Sequence, residues 1–244
     1  MLNIIYSEIL KLKKISYIVI ILITSLFMVF FTDAAIIIIK GLNRTFESYS
    51  FNVCQINIRL IFTIVFCIIS SDIFVREYDD KTANILYLYS FNRTKILLGK
   101  FLVIYMIIVL IYFIQCIGIY VSCYILFGSL EKSLVYRNVQ ANLYSMIFEM
   151  MLIPSVIFLA NLKQNLILPV SYGVLMTIIN AISDKSFIAD IKYNPFVGPF
   201  FAFQYVYSEV GTGFEFKYIT ISGIIFFIIS ILGCMYHFNE MDIN

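Results

Sequence analysis

The sequence predicts an all-α membrane protein with six transmembrane helices, and three observations carry that prediction. Hydrophobic residues make up 61% of the 244 and charged residues only 13%, whereas a soluble domain carries roughly 45–50% and about 25%. Apolar runs recur at close to the roughly 20 residues that cross a bilayer as a helix. Those runs show no period of two, so a barrel of strands is not expected. A soluble fold of this size has too much surface to cover with so few charges, and mean hydropathy is +0.94. A soluble enzyme is therefore excluded. The net charge of +2 is too small to argue for a nucleic-acid partner.

The elements follow in order. The first 14 residues, MLNIIYSEILKLKK, set Leu2, Ile5, Ile9 and Leu12 at helical spacing, with Ser7, Lys11 and Lys14 on the other face. That pattern predicts an interfacial amphipathic helix with its lysines toward anionic headgroups. The plainer reading is a basic flank that only sets topology. The six spans are expected at about 15–35, 56–75, 101–127, 139–160, 164–183 and 218–238. The first apolar run is longer than the 7–15 residues or so of a signal-peptide core, and Thr32-Asp33-Ala34 is a poor cleavage site, so a retained span is expected. Spans two and four are weaker, because Arg59, Asp72 and Glu149 are ionisable. No linker or internal repeat divides the chain, which reads as one domain over residues 1–244.

Two segments are not spans. Residues 76–100, REYDDKTANILYLYSFNRTKILLGK, are the longest charged stretch. Acidic residues come first and basic residues last, which suits the dipole of a short helix. Ile85, Leu88 and Tyr89 would give such a helix an apolar patch for docking a partner, with Glu77 and Arg93 as exposed charges around it. The alternative is a solvated loop. Residues 195–207, PFVGPFFAFQYVY, are apolar and aromatic but too short to cross. They read as a re-entrant helix or as an aromatic belt at the headgroups, and both place Phe196, Phe200, Phe203 and Tyr207 near the outer surface.

Lys and Arg near the span ends favour N- and C-termini in the cytosol, with nine on that side against six or seven on the other. Under this topology Asp33 and Arg59 lie at similar depth near the outer ends of spans one and two, where they would form an intramembrane ion pair. Glu149 lies near the middle of span four, one turn before Pro154, as a candidate pathway residue or a buried structural one. Catalysis has little support. His237 is the single histidine, the five cysteines form no C-x-x-C pair, and no nucleophile stands beside a base. No metal site is expected. The Ile-, Lys-, Asn- and Tyr-rich composition fits an AT-rich bacterial genome.

The run E-Y-x-x-x-T, a short apolar helix, and then N-R-T-K-I-L-L-G-K leading into a span resembles the second cytosolic segment of ABC-2 type permeases. Glu77, Thr82, Arg93 and Lys100 stand at the matching positions. The sequence departs from that pattern at Lys81, where Gly is common, and at Ser90, where Pro is common. The resemblance is nearest to the small permeases of peptide-antibiotic immunity and of bacitracin or lantibiotic resistance. It implies a membrane dimer, homo- or heterodimeric, driven by a cytosolic ABC ATPase dimer. It also implies that the head helix and a coupling helix carrying Glu77, Thr82, Ile85, Leu88, Arg93 and Lys100 touch that ATPase. The position of residues 195–207 matches the re-entrant segment that precedes the last span in such exporters. The chain has no G-x-x-x-x-G-K-[ST] phosphate loop, so ATP and Mg would be bound by the partner and no cofactor by this chain. The function implied is export of an amphiphilic substrate, such as an antimicrobial peptide or lipid-like antibiotic, across a bacterial cell membrane. Two alternatives come from other classes: a proton-coupled secondary transporter working through Glu149, and a toxin-immunity membrane protein that does not transport.

Overall fold

The computed structural model describes residues 2–12, 15–38, 45–79, 93–128, 131–183, 193–207 and 216–240. Their regular structure is entirely helical, as lipid demands of a chain that must satisfy its own backbone. In order they are α1 (Leu2–Lys11), α2 (Ile15–Ile38), α3 (Phe46–Ile56), a π-helical turn (Asn57–Phe62), α4 (Thr63–Asp79), α5 (Arg93–Phe127), α6 (Lys132–Lys163), α7 (Ile167–Ile182), a 3-10 turn (Pro195–Val197), α8 (Gly198–Tyr207) and α9 (Phe216–Glu240). Five helices among the described residues are long and apolar enough to cross a membrane. The sixth apolar helix, α7, has 16 residues, about 24 Å at the helical rise and short of a roughly 30 Å hydrocarbon core.

Local chemistry fixes the ends and the hydroxyls. Thr45 caps α3 by a capping box: its Oγ1 accepts from Ser48 N, and the Ser48 hydroxyl accepts from Thr45 N at 3.2 Å. Gln164 takes a left-handed φ of 50° and donates its amide to the Ala160 carbonyl, ending α6. Hydroxyls within the spans bond back to their own helix, as Thr24 does to Ile20 and Ser71 to Cys67. Just after the π turn, the Thr63 hydroxyl reaches back to the Ile58 carbonyl at 3.4 Å.

Helix α6 is the centre of the bundle. It packs against α8, α9, α4 and α7, while α5 packs against α2, α1 and α9. Small residues let these helices approach. A Cβ on Gly198 would sit 2.5 Å from Phe148, and one on Gly173 would sit 2.9 Å from Cys67. Two helices remain largely uncovered: α2 exposes Ile23, Phe27 and Phe30, and α9 exposes Ile225, Ile229 and Leu232.

Several expectations change. The second apolar helix begins at Phe46 rather than near residue 56, because the polar run 46–55 is helical and caps itself. The third begins at Arg93 rather than 101, so Arg93 and Lys100 lie on a span's first two turns and not in a loop. The fourth is Lys132–Lys163 rather than 139–160. The head helix forms, but its faces differ from the sequence pattern. Glu8 is buried and the exposed Lys11 pairs with the buried Glu77, while Ile9 and Leu10 are exposed. The aromatic segment forms α8 with Phe200, Phe203 and Tyr207 buried against the bundle, so these rings do not lie along a surface belt. Thr82, Ile85 and Leu88 lie outside the described residues.

Candidate functional site

The charges of one end of the bundle converge on Glu77. Its Oε2 accepts from Lys100 Nζ at 2.6 Å, and its Oε1 accepts from Lys11 Nζ at 2.7 Å. Lys11 also reaches Glu8 at 2.6 Å. The Lys100 side chain is 1% exposed and that of Glu77 7%. Lys100 donates a further bond to the Ile73 carbonyl at 3.3 Å, and its ammonium stands 4.7 Å from the centre of the Phe74 ring. Burial works against the charge on Lys11, but its hydrogen bonds to Glu77 and Glu8 outweigh that and hold its pKa above the ordinary lysine value. One turn deeper, Arg76 pairs with Asp72 at 2.5 Å, and the Tyr17 hydroxyl bonds to both residues. Three elements that are distant in sequence are thus clasped: the head, the end of α4 and the start of α5. The clasp joins the two helices on either side of residues 80–92.

The structure therefore brings Glu77 and Lys100 together, which spacing along the sequence alone could not show. Glu77 is a buried hub and not an exposed rim charge. Arg93, the first residue of α5, is half-buried.

Asp33 and Arg59 are not brought together. The Asp33 carboxylate accepts from Tyr49 at 2.6 Å and from Ser122 at 2.7 Å. Arg59 donates to the Ser183 carbonyl at 3.1 Å and stacks on the Phe200 ring at 3.8 Å. The physical reason is register. Because α3 starts at Phe46, Arg59 lies more than three turns into its helix and sits deeper than Asp33. It instead anchors the end of α7 and the start of α8. At the other end of α8, Tyr207 bonds to the Ser50 hydroxyl and the Glu47 carbonyl, beside the Arg137–Glu47 ion pair of 2.6 Å. Ten residues rise about 15 Å, so α8 runs from the depth of Arg59 to the α3 N-terminus.

A polar core links these ends. Cys54, Asn57, Gln115, Asn138 and Asn142 are all buried. Asn57 donates to Gln115 at 3.2 Å, Gln115 to the Cys54 sulfur at 3.2 Å, and Asn142 to the same sulfur at 3.6 Å. Glu149, 2% exposed, accepts from the Thr63 hydroxyl at 3.4 Å, directly after the π turn. A π turn inside a span commonly marks a functional position. Sequence reasoning missed the amide cluster, although Asn and Gln inside apolar runs were a visible signal. It also missed Glu8, which reads as an ordinary surface residue.

Among the described residues no group of three His, Cys, Asp or Glu could hold a metal. The arrangement suits mechanical linkage: a charged clasp at one end, a buried polar core, and an aromatic half-depth helix toward the other end.

The family model described as ABC-2 family transporter protein matches residues 4–180. No curated protein matches the chain. The matched region runs from the head helix through the clasp and the polar core into α7, and it covers well over half of the sequence. The chain belongs to the ABC-2 transporter family, as a multi-pass membrane permease subunit of an ABC transporter whose ATPase is a separate partner.

Proposed function

We propose that this permease exports an amphiphilic substrate, such as an antimicrobial peptide or lipid-like antibiotic, as one half of a homo- or heterodimer driven by two copies of a cytosolic ATPase. The clasp end faces the cytosol, with both termini on that side. The observation that carries the reading is the Lys11–Glu77–Lys100 clasp. A push on the segment between α4 and α5 would pass at once into the head and two spans, because all three are held by one buried carboxylate. ATP-driven closure of the partner would then move them as a body and open the interface between the two permease subunits outward.

The coupling segment would dock through Ile85 and Leu88. Interface anchors of this kind are worth about 1–4 kcal/mol when truncated. Ile85→Asp or Leu88→Asp should leave the spans inserted, reduce copurification of the ATPase, and reduce transport in parallel. The isolated ATPase should keep its basal hydrolysis. Wild-type recovery and transport in both variants, at normal expression, would reduce the segment to a connector and remove the coupling reading.

A further inference from the structure

We propose that a water-filled recess, open at the end of the bundle opposite the clasp, lies between the end of α7 and the start of α8 and reaches nearly to the midplane of the membrane. Beside α5 the hydrocarbon keeps its full thickness.

Helix lengths set the depth scale. α5 has 35 residues, about 52 Å against a hydrocarbon core of roughly 30 Å, so about 11 Å projects at each end when it is centred. That placement puts Lys100 at one hydrocarbon boundary, where the clasp gathers its charges.

α8 starts deep. A Cβ on Gly198, its first residue, would lie 2.5 Å from Phe148. Phe148 is the midpoint of α6, about 24 Å from either end of that helix. From there α8 rises to Tyr207, which bonds to the Glu47 carbonyl near the start of α3. α7 stops short on the same side. Its Gly173 packs on Cys67, about 31 Å from the start of α3, and the chain climbs about 15 Å from Gly173 to Ser183. Ser183 thus ends about 16 Å below the start of α3, and its carbonyl accepts from Arg59 at 3.1 Å.

Both ends therefore stand inside the hydrocarbon thickness, by about 5 Å at Ser183 and about 13 Å at the start of α8. Backbone that leaves a helix at such depth is tolerated only where protein or water meets it. Protein leaves both places open: Ile182 is 65% exposed and Tyr193 54%. The sequence adds charge at each, because Asp184 and Lys185 follow Ser183, and Asp190 and Lys192 precede Tyr193. A chain advances at most about 3.6 Å per residue, so these four side chains need polar surroundings close to the two ends. α7 points the same way. Its 16 residues span about 24 Å, roughly 6 Å short of the core, and such a mismatch draws the polar phase inward.

α5 provides the contrast. Gln115 bonds to Asn57 and Lys100 to Glu77, so α5 runs opposite to α3 and α4. Phe113, two residues deeper than Gln115, lies level with Arg59, in unbroken helix and 62% exposed. A recess of this kind gives the polar part of an amphiphile a wet place at half depth. That use rests on the export reading, whereas the recess rests on the depth of the two helix ends.

The test uses the whole permease in intact cells, in a background without native cysteines, with a charged, membrane-impermeant methanethiosulfonate. Ile182→Cys and Tyr193→Cys should react about tenfold or more faster than the equally exposed Phe113→Cys, because only a thiol that water reaches forms the reactive thiolate. Thr45→Cys marks the side, and both should react from the side on which it does. If all three react only after permeabilisation, the molecule is inverted and the recess still holds. Reaction of Tyr193→Cys as slow as that of Phe113→Cys would mean that the chain there is dry. Equally fast reaction at Phe113 would mean that nothing is special about this sector. Either result overturns the proposal. If the cysteine variants fail to assemble, Tyr193→Trp supplies the molecule's only tryptophan. In proteoliposomes its emission should be quenched by acrylamide and not by lipids brominated at mid-chain, and the reverse pattern would equally overturn the recess.

Discussion

Lys100 carries an ammonium that is almost fully out of water, and the opposite charge that compensates it is Glu77, 2.6 Å away. Removing one partner of a buried pair strands the other and costs about 3–5 kcal/mol, whereas replacing both by apolar groups is often neutral. Glu77→Ala should therefore lower the thermal midpoint of the detergent-solubilised protein strongly. The double variant Glu77→Ala with Lys100→Met should recover most of that loss, and failure to recover would show that Lys11 and not Lys100 is the partner that matters. Glu149 poses the opposite case, a buried carboxyl whose acceptor contact is one 3.4 Å bond from Thr63. Glu149→Gln keeps its size and hydrogen bonding and removes only the ability to ionise. Normal assembly with transport reduced about tenfold or more is the expected outcome for a residue that relays charge in a membrane. Wild-type transport by the Gln variant would make it a structural residue. At this scale the sequence was only partly legible. Glu77 and Lys100 stand out as charges flanking an apolar helix, but that they meet depends on how α4 and α5 pack. The Asp33–Arg59 pairing failed because helix register, and not depth counted along the sequence, decides which side chains meet.

The helices themselves were far more legible, because in lipid a long apolar run has few alternatives to a helix. The centres of all six expected spans lie in helices, and the errors are at the ends. Phe46–Gln55 was missed because Glu47, Ser48, Ser50, Asn52 and Gln55 break the apolar pattern, although Thr45 and Ser48 form the capping box that starts the helix. On that stretch the buried Ser50 bonds to the Tyr207 hydroxyl and the buried Cys54 sulfur accepts from Gln115, contacts for which hydropathy gives no credit. The aromatic segment was ambiguous for a related reason, since burial and membrane-interface placement favour the same residues. Its seat against α6 depends on Gly198, where an added Cβ would lie 2.5 Å from Phe148. Phe148 is itself buried, with its ring against Phe216 at 6.0 Å between centres. Gly198→Val should therefore destabilise by about 1–3 kcal/mol through overpacking. Adding Phe148→Leu should relieve part of it, as a thermal melt in detergent would show. An unshifted midpoint in the single variant would mean that α8 is not held against α6.

For the whole molecule the main consequence is that its two ends are chemically different. One end gathers Glu8, Lys11, Asp72, Arg76, Glu77 and Lys100. Toward the other lie Asp33, Glu47, Arg137 and Tyr207. Every packing contact is the same whichever end faces the cytosol. Only the excess of Lys and Arg on one side bears on it, and that excess acts during insertion, not in the folded state. The clasp end carries it. Single cysteines at Lys81 and Lys163, in a background without the five native cysteines, should therefore be protected from a membrane-impermeant maleimide in intact cells. Cysteines at Thr45 and Lys192 should label readily. Permeabilising the cells should expose the first pair, which separates protection by the membrane from protection by folding. If Lys81 labels from outside in intact cells, the molecule is inverted, and the clasp would then lie on the wrong side of the membrane to receive a push from a cytosolic ATPase.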